Sequence, residues 1–206
     1  MKVPLLDVNA QNHPIGDELR AAFDGVLSTG RFIMGEEVEK FEVSTAQYLG
    51  VKHAVGVSSG TDAILLALMA LGIGQGDEVI CPSFTFFATA GCITRTGATP
   101  VFCDSHLDSY NIDFDSAESC VTERTKAIIP VHLFGQSADM DACQAFAKKH
   151  KLIVIEDTAQ SMGARYGSQY CGSIGDFGTY SFFPSKNLGG LGDGGLLVTQ
   201  DDALAE

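Results

Sequence analysis

The sequence has few cations, no long apolar run and no closely paired cysteines or histidines. Its 13 lysines and arginines stand against 26 acidic residues, which gives a formal net charge of -13. Because nucleic-acid phosphates are neutralised by clustered Lys and Arg, this balance argues against a nucleic-acid partner. No apolar stretch approaches the roughly 20 residues of a membrane span, and the N-terminus lacks the apolar core of a signal peptide. We therefore expect a soluble, cytoplasmic protein with no membrane partner.

The cysteine and histidine spacing excludes the usual metal sites. The six cysteines include no C-x-x-C pair, and none has a histidine at metal-ligand spacing. We predict no metal, and we expect most of the cysteines to be small buried side chains. His132, in the apolar stretch IIPVHLFG, is predicted to be a packed residue near a cofactor.

From about residue 50, short apolar runs alternate with amphipathic segments. This alternation is typical of βαβ units, and near-continuous apolar runs suit strands buried on both faces. We predict an α/β fold in three layers, with helices on both faces of a mostly parallel central sheet. The predicted strands are HAVGV (53–57), DEVICP, TPVFC, KAIIPV, KLIVIED and a final GGLLVT that could be antiparallel. The predicted helices are TDAILLALMALG (61–72), FATAGCITRTG and DMDACQAFAKKH (139–150).

Two amphipathic helices are predicted before residue 50, on either side of the loop GRFIMG. They are IGDELRAAFDGVLSTG and EEVEKFEVSTAQYLG. The predicted organisation is a helical segment over residues 1–50 that leads into a large domain over residues 51–206.

Candidate site residues follow the predicted strands, because ligands of open α/β sheets lie beyond the carboxyl ends of the strands. After HAVGV come Ser59, Gly60 and Thr61, at the start of an apolar helix. Free N–H groups, the positive helix end and the hydroxyls would suit a phosphate. The same residue types also favour a plain helix N-cap.

Two further strand ends carry unusual side chains. KLIVI is followed by Glu156 and Asp157, and a buried carboxylate costs free energy unless a cation meets it. A protonated heteroaromatic nitrogen is one such cation, and an Asp that caps the next segment is the alternative. DEVICP is followed by aromatic residues that include Phe86, which could lie flat on a ring or belong to the core.

Lys186 stands between aromatic residues and glycines in SFFPSKNLGG. Glycines allow a backbone and a ligand to approach closely. Together with the strand ends, this lysine describes one ligand, pyridoxal phosphate held as a Schiff base. The residues predicted to contact it are Ser59, Gly60, Thr61 and Ser181 at the phosphate, Phe86 at the ring, Asp157 at the pyridinium nitrogen and Lys186 at the aldehyde.

One motif in the same region is misleading. Residues 190–195, GLGDGG, match the dinucleotide fingerprint G-x-G-x-x-G letter for letter. That fingerprint must open a helix within a first βαβ unit, whereas LLVT follows here near the end of the sequence. A dinucleotide-binding dehydrogenase is therefore not predicted.

Five linked motifs resemble those of the DegT/DnrJ/EryC1/StrS family in order and spacing. They are SSGTDAILLAL, GDEVICPSFTFFATA, TKAIIPVHLFGQSADMDA, VIEDTAQSMGA and TYSFFPSKNLGGLGDGGLLVT. The resemblance begins at about Leu5, and it implies a fold-type-I aminotransferase that uses pyridoxal phosphate on nucleotide-linked keto-sugars. It further implies that Lys186 binds the cofactor covalently, that Asp157 pairs with the pyridine nitrogen and that Gln160 contacts the ring hydroxyl or the ring face.

The resemblance also implies the reaction and the partners. Glutamate would be the amino donor and a nucleotide-diphosphate keto-sugar the acceptor, giving an amino sugar for polysaccharide, lipopolysaccharide or glycoside biosynthesis. The form PSKNLGGLGDGG is more similar to enzymes that aminate C3 of the sugar than to those that aminate C4. Members with histidine in place of the lysine are sugar dehydratases, an alternative that Lys186 argues against. The family implies a homodimer.

Family members are considerably longer, and their small C-terminal domain is absent from this sequence. We therefore expect the large-domain portion of such an enzyme. A non-catalytic module for pyridoxal phosphate binding or for dimerisation is the alternative function. The identity of the sugar and of the pathway is not predicted.

Overall fold

The computed structural model describes residues 3–4 and 6–206. The predicted segment 1–50 and the start of the family resemblance at Leu5 thus include residues 1, 2 and 5, which lie outside the described residues. The helices are α1 (Val8–Asn12), α2 (Gly16–Thr29), α3 (Glu36–Leu49), α4 (Gly60–Ala70), α5 (Phe87–Arg95), α6 (Phe114–Glu118), α7 (Met140–His150) and α8 (Asp202–Ala205). The strands are β1 (His53–Val57), β2 (Glu78–Pro82), β3 (Thr99–Cys103), β4 (Thr125–Ile128), β5 (Ile153–Asp157), β6 (Arg165–Tyr166), β7 (Gln169–Tyr170), β8 (Phe177–Ser181) and β9 (Gly195–Thr199).

In the described part of the chain, seven strands form a mostly parallel sheet in the order β1-β9-β8-β5-β4-β2-β3. Strands β2, β3, β4, β5 and β8 run parallel, and β9 runs antiparallel to both of its neighbours, β1 and β8. The predicted α/β fold and the antiparallel final strand are confirmed. All strands of this sheet except β9 therefore end at the same edge, and β9 begins there.

Apolar side chains cover both faces of the sheet, because successive residues of a strand point to opposite sides. Val79 packs in one core cluster with Ile64 and Phe177, whereas its neighbour Ile80 packs in another with Met140. Strands β2, β5 and β9 are buried almost throughout, which explains their unbroken runs of apolar residues. The three layers predicted from the sequence are present.

The N-terminal helices differ in how they pack. Helix α3 packs against the sheet, because Leu49 shares a core cluster with Tyr180 and Leu196. No residue of helix α2 is fully buried, although Leu19 and Val26 are half-buried. Each of these two helices ends at a glycine with positive φ, Gly30 and Gly50, as the sequence pattern indicates.

Five of the six cysteines are buried and one is half-buried, and all six thiols are free. This confirms that most of them are core residues. Among the helices formed by residues 3–4 and 6–206, none has the length and apolarity to span a membrane.

Candidate functional site

A cavity of about 440 Å³ lies at the edge of the sheet where the parallel strands end. Its wall is built from the start of α4, the start of α5, the end of β5 and the segment that follows β8. The eight residues predicted to contact a cofactor all line it: Ser59, Gly60, Thr61, Phe86, Asp157, Gln160, Ser181 and Lys186. A larger open groove of about 590 Å³ along α2 is lined by none of these eight residues.

The start of α4 offers N–H groups to the cavity. Ser59 is the N-cap, and its Oγ accepts from the N–H of Asp62 at 3.1 Å. The N–H groups of Gly60 and Thr61 donate to no other described residue. Unpaired N–H groups at the positive end of a helix are suited to an anion. The predicted N-cap and the predicted anion cradle are therefore compatible, because the cap uses the Ser59 hydroxyl and the N–H of Asp62, whereas the cradle uses the N–H groups of Gly60 and Thr61.

Two glycines allow three chain segments to meet at this point. A Cβ on Gly60 would lie 2.6 Å from Cβ of Ser181, and a Cβ on Gly195 would lie 2.3 Å from the carbonyl carbon of Ser59. Any side chain at either position would collide with its neighbour. The close contact holds the Ser181 hydroxyl beside the start of α4.

Asp157 supplies a buried carboxylate at the end of β5. Its Oδ2 accepts from the Thr89 hydroxyl at 2.8 Å, and its Oδ1 accepts from the N–H of Ala159 at 3.1 Å. No Lys, Arg or His of the described residues forms an ion pair with it within 4.0 Å. Burial raises the pKa of Asp157, because the charged form is poorly solvated. A cationic group in the cavity would offset this cost.

The neighbouring carboxylate, Glu156, faces away from the cavity. It accepts from the N–H groups of Gly172, Ile174 and Gly175 at 2.6 to 2.8 Å. His132 Nε2 lies 2.8 Å from Glu156, and His132 Nδ1 accepts from the backbone of Ala138, so Nε2 carries the ring proton. His132 is packed as predicted, but it lies behind the cavity wall and not in it.

Lys186 lies in a loop that folds back on itself after β8. The N–H of Lys186 donates to Phe183 O at 2.8 Å, and the N–H of Gly190 donates to Phe182 O at 2.7 Å. A Cβ on Gly189 would lie 2.4 Å from Pro184 O. Gly189 is thus required by the compactness of the loop. Lys186 is half-buried and shares the cavity with Asp157.

The remaining predicted residues line the sides of the cavity. Phe86 precedes α5 and is 67 % exposed, so its ring is available to a ligand. The side-chain oxygen of Gln160 accepts from the N–H of Phe134 at 2.8 Å. Phe134 has a φ of 55°, an uncommon conformation for an aromatic residue, and this brings its N–H to Gln160. The Gln160 NH₂ group is left to donate.

Sequence reasoning missed several residues of the cavity wall. Thr85 lies between aromatic residues that dominate the local pattern, and Asp193 lies in the GLGDGG motif, which resembles a dinucleotide fingerprint. That motif leads into β9 and not into a helix, which confirms its rejection. Val131 and Leu133 line the cavity from the turn after β4, and their apolar run gave no signal of this role.

Comparison with known proteins gave a match over most of the chain. The model of the DegT/DnrJ/EryC1/StrS aminotransferase family matches residues 13–206. A UDP-N-acetyl-3-dehydro-alpha-D-glucosamine 3-aminotransferase of Acidithiobacillus ferrooxidans is 50 % identical over 202 residues, which are 98 % of this chain and 55 % of that protein. The chain thus spans about half the length of the curated relatives it matches.

Solved structures agree with this match. DesV of Streptomyces venezuelae, solved with a ketimine intermediate, has a TM-score of 0.96 and 47 % identity over 99 % of this chain and 55 % of its own. Ntda of Bacillus subtilis, solved with the bound cofactor PMP, has a TM-score of 0.90 and 39 % identity over 99 % of this chain and 46 % of its own.

Proposed function

Because the chain belongs to the DegT/DnrJ/EryC1/StrS aminotransferase family, we propose that it is the cofactor-binding part of a transaminase that acts on a nucleotide-diphosphate keto-sugar. One observation carries this proposal. A single cavity brings together an anion cradle, a buried carboxylate without a cation and a half-buried lysine. This combination matches the phosphate, the ring nitrogen and the aldehyde of pyridoxal phosphate.

The described residues fit this cofactor. The unpaired N–H groups of Gly60 and Thr61, with the hydroxyls of Ser59 and Ser181, would hold the phosphate. Asp157 would hold a protonated ring nitrogen, because pairing with a cation offsets the cost of its burial. A solved relative with bound PMP supports the choice of cofactor.

In the proposed reaction, pyridoxal phosphate supplies an electron sink that stabilises negative charge on the carbon that loses a proton. Lys186 would hold the cofactor and, once its amine is free, carry a proton between substrate and cofactor. Asp157 would keep the ring nitrogen protonated. Phe86 would cover one face of the ring and exclude water, while the Gln160 NH₂ group would donate a hydrogen bond at the ring.

The substrates are part of the same proposal. A nucleotide-linked keto-sugar is supported by the name of the Acidithiobacillus ferrooxidans relative, which also indicates amination at C3. Glutamate is proposed as the amino donor, as in the family that the motifs resemble. The resulting amino sugar would enter polysaccharide, lipopolysaccharide or glycoside biosynthesis.

A homodimer is proposed on the basis of exposed apolar side chains. Phe23 and Leu27 of α2 are more than half exposed, and in the following loop Ile33 is 88 % exposed. No residue of helix α2 is fully buried, so the exposed apolar side chains of this helix are available to a second copy. Sedimentation at micromolar concentration should give the mass of two chains, and a monomer would contradict the proposal.

The first experiment adds pyridoxal phosphate to the purified chain and records the visible absorption of the bound cofactor. Borohydride reduction followed by mass spectrometry should then place the adduct on Lys186. The adduct should disappear in Lys186→Ala and persist in Lys126→Ala, because Lys126 is exposed on β4. An adduct scattered over surface lysines would refute the site.

A second measurement separates the enzyme from its alternatives. With glutamate and a keto-sugar nucleotide, an aminotransferase forms 2-oxoglutarate and an amino sugar. A non-catalytic binding module would carry the Lys186 adduct and form neither product. A dehydratase would change the sugar with no gain of nitrogen.

A further inference from the structure

Thr89 is a fully buried hydroxyl residue of α5 that the proposed function does not use. Its Oγ1 donates to Oδ2 of Asp157 at 2.8 Å and links two residues that lie 68 positions apart in the sequence. A threonine inside a helix often returns its hydroxyl to a carbonyl of the preceding turn. Thr94 of the same helix does so, with Ala90 O at 3.0 Å. Thr89 instead contacts the carboxylate of the cavity.

The direction of the hydrogen bonds follows from the chemistry of the groups. An ionised carboxylate only accepts, so the single proton of the Thr89 hydroxyl is directed to Asp157. The Thr89 oxygen lies 2.9 Å from the hydroxyl of Thr85 and must accept from it. The order of donation is therefore Thr85 to Thr89 to Asp157. Thr85 lines the cavity, and with its proton committed it can only accept a hydrogen bond from a ligand.

We propose that Thr89 is a positioning residue that fixes the Asp157 carboxylate in its ionised form, ready for a cationic ring nitrogen, and that Thr85 completes this hydrogen-bonded chain at the cavity wall. This inference rests on the proposed function, in which Asp157 pairs with pyridoxal phosphate. Each carboxylate oxygen then has one fixed donor, Thr89 at Oδ2 and Ala159 at Oδ1. The plane of the carboxylate is set before a ligand arrives.

The electrostatics of the site agree with this role. Burial raises the pKa of Asp157, whereas the Thr89 hydroxyl and the N–H of Ala159 lower it. The other titratable groups that act on Asp157 are His132 from the turn after β4, Lys186 from the loop after β8 and the Cys92 thiol from α5. Without the Thr89 donor, less would counteract the rise in the Asp157 pKa that burial causes, so the carboxyl group should take up a proton more readily.

The test compares Thr89→Val, which keeps the shape and loses the hydroxyl, with Thr89→Ser, which keeps the hydroxyl. Thr94→Val is the matched control in the same helix. The first readout is the ¹³C NMR titration of the Asp157 carboxyl without cofactor, assigned with Asp157→Asn. The second readout is the dissociation constant for pyridoxal phosphate from its visible absorption.

In Thr89→Val the Asp157 carboxyl should protonate at a higher pH, and pyridoxal phosphate should bind roughly tenfold more weakly, the effect of one hydrogen bond to a charged group. Thr89→Ser and Thr94→Val should match the parent chain. Thr85→Val should shift both readouts in the same direction by a smaller amount. If Thr89→Val does not fold, Thr89→Ala provides the same comparison.

An unchanged Asp157 titration in Thr89→Val would overturn the inference, as would equal losses in Thr89→Val and Thr89→Ser. The NMR readout needs no cofactor. If the parent chain fails to bind pyridoxal phosphate at Lys186, the proposed function fails, and the titration still decides whether Thr89 controls Asp157.

Discussion

The contact between Gly60 and Ser181 gives the sharpest test of the anion cradle. In Gly60→Ala the new Cβ would lie 2.6 Å from Cβ and 3.1 Å from Cα of Ser181. Carbon atoms pack favourably at roughly 3.5–4.0 Å, so the start of α4 must move away from β8 by about 1 Å. Alanine favours a helix more than glycine does, so any loss of stability measures the collision and not helix propensity.

The expected magnitude follows from the cost of overpacking. One extra carbon in a packed site costs about 1–3 kcal/mol. For a chain of this size each kcal/mol corresponds to a fall of about 2–4 °C in melting temperature. The same displacement would misalign the N–H groups of Gly60 and Thr61, and the loss of one hydrogen bond to a phosphate would weaken pyridoxal phosphate binding roughly 10- to 100-fold.

Thermal melting and a titration with pyridoxal phosphate would measure both effects. Gly192→Ala is the matched control, because a Cβ at Gly192 would meet no atom within 4 Å. The control should melt and bind as the parent chain does. If Gly60→Ala behaves like Gly192→Ala in both assays, the close contact does not shape the cradle and the reasoning is wrong.

Two further predictions concern the adjacent carboxylates. Asp157→Asn should raise the melting temperature of the cofactor-free chain at neutral pH and should weaken pyridoxal phosphate binding. The raised pKa of Asp157 means that the folded parent chain holds this proton more tightly than the unfolded chain does. The stability of the parent chain therefore falls as the pH rises from the ordinary carboxyl pKa through the raised value, and the variant avoids this loss. Identical stability profiles of parent and variant across that pH range would contradict this. Glu156→Gln should lower the free energy of unfolding, measured by urea denaturation, by roughly 3–5 kcal/mol. The four donors that surround the buried Glu156 carboxylate would then face an amide whose NH₂ group cannot accept a hydrogen bond. The control Glu118→Gln, in an exposed ion pair, should change stability little, and equal losses in the two variants would refute the structural role of Glu156.

Much of the sheet could be predicted because its strands are buried on both faces. β2 is buried along its whole length, so every position is apolar or small except Glu78 at its start. The predicted helix 61–72 is observed two residues shorter at its end, since Leu71 already closes α4. Local pattern and local structure agree wherever a segment is held by the core alone.

Strand β8 was missed although it lies in the middle of the sheet. Its residues FGTYS include a glycine and three hydroxyl groups, which hide the apolar run expected of a central strand. Two of these hydroxyls are buried because they have partners: the Thr179 hydroxyl donates to Glu156 O at 3.0 Å and the Tyr180 hydroxyl to Cys171 O at 2.5 Å. A single sequence does not show partners of this kind, because they come from other strands and loops.

Eight of the residues that line the cavity could be predicted from the sequence, but their contacts could not. The prediction that Ser59, Gly60 and Thr61 form a phosphate site follows from their place between the end of a strand and the start of a helix. That Gly60 must be a glycine depends on Ser181, and that Asp157 has a hydroxyl partner depends on Thr89. Both facts arise from packing between segments distant in the sequence.

The register of β5 decides which of two adjacent carboxylates faces the cavity and which has a structural role. Side chains alternate along β5, so Glu156 and Asp157 must face opposite sides. Glu156 meets three backbone N–H groups and His132, which leaves it fully occupied. Asp157 meets two donors and the cavity, which leaves it able to take a cation. The pairing of Asp157 with Thr179 of β8 fixes this register, and a shift by one residue would exchange the two carboxylates. The proposed binding role of Asp157 therefore depends on the same pairing that holds β5 and β8 together.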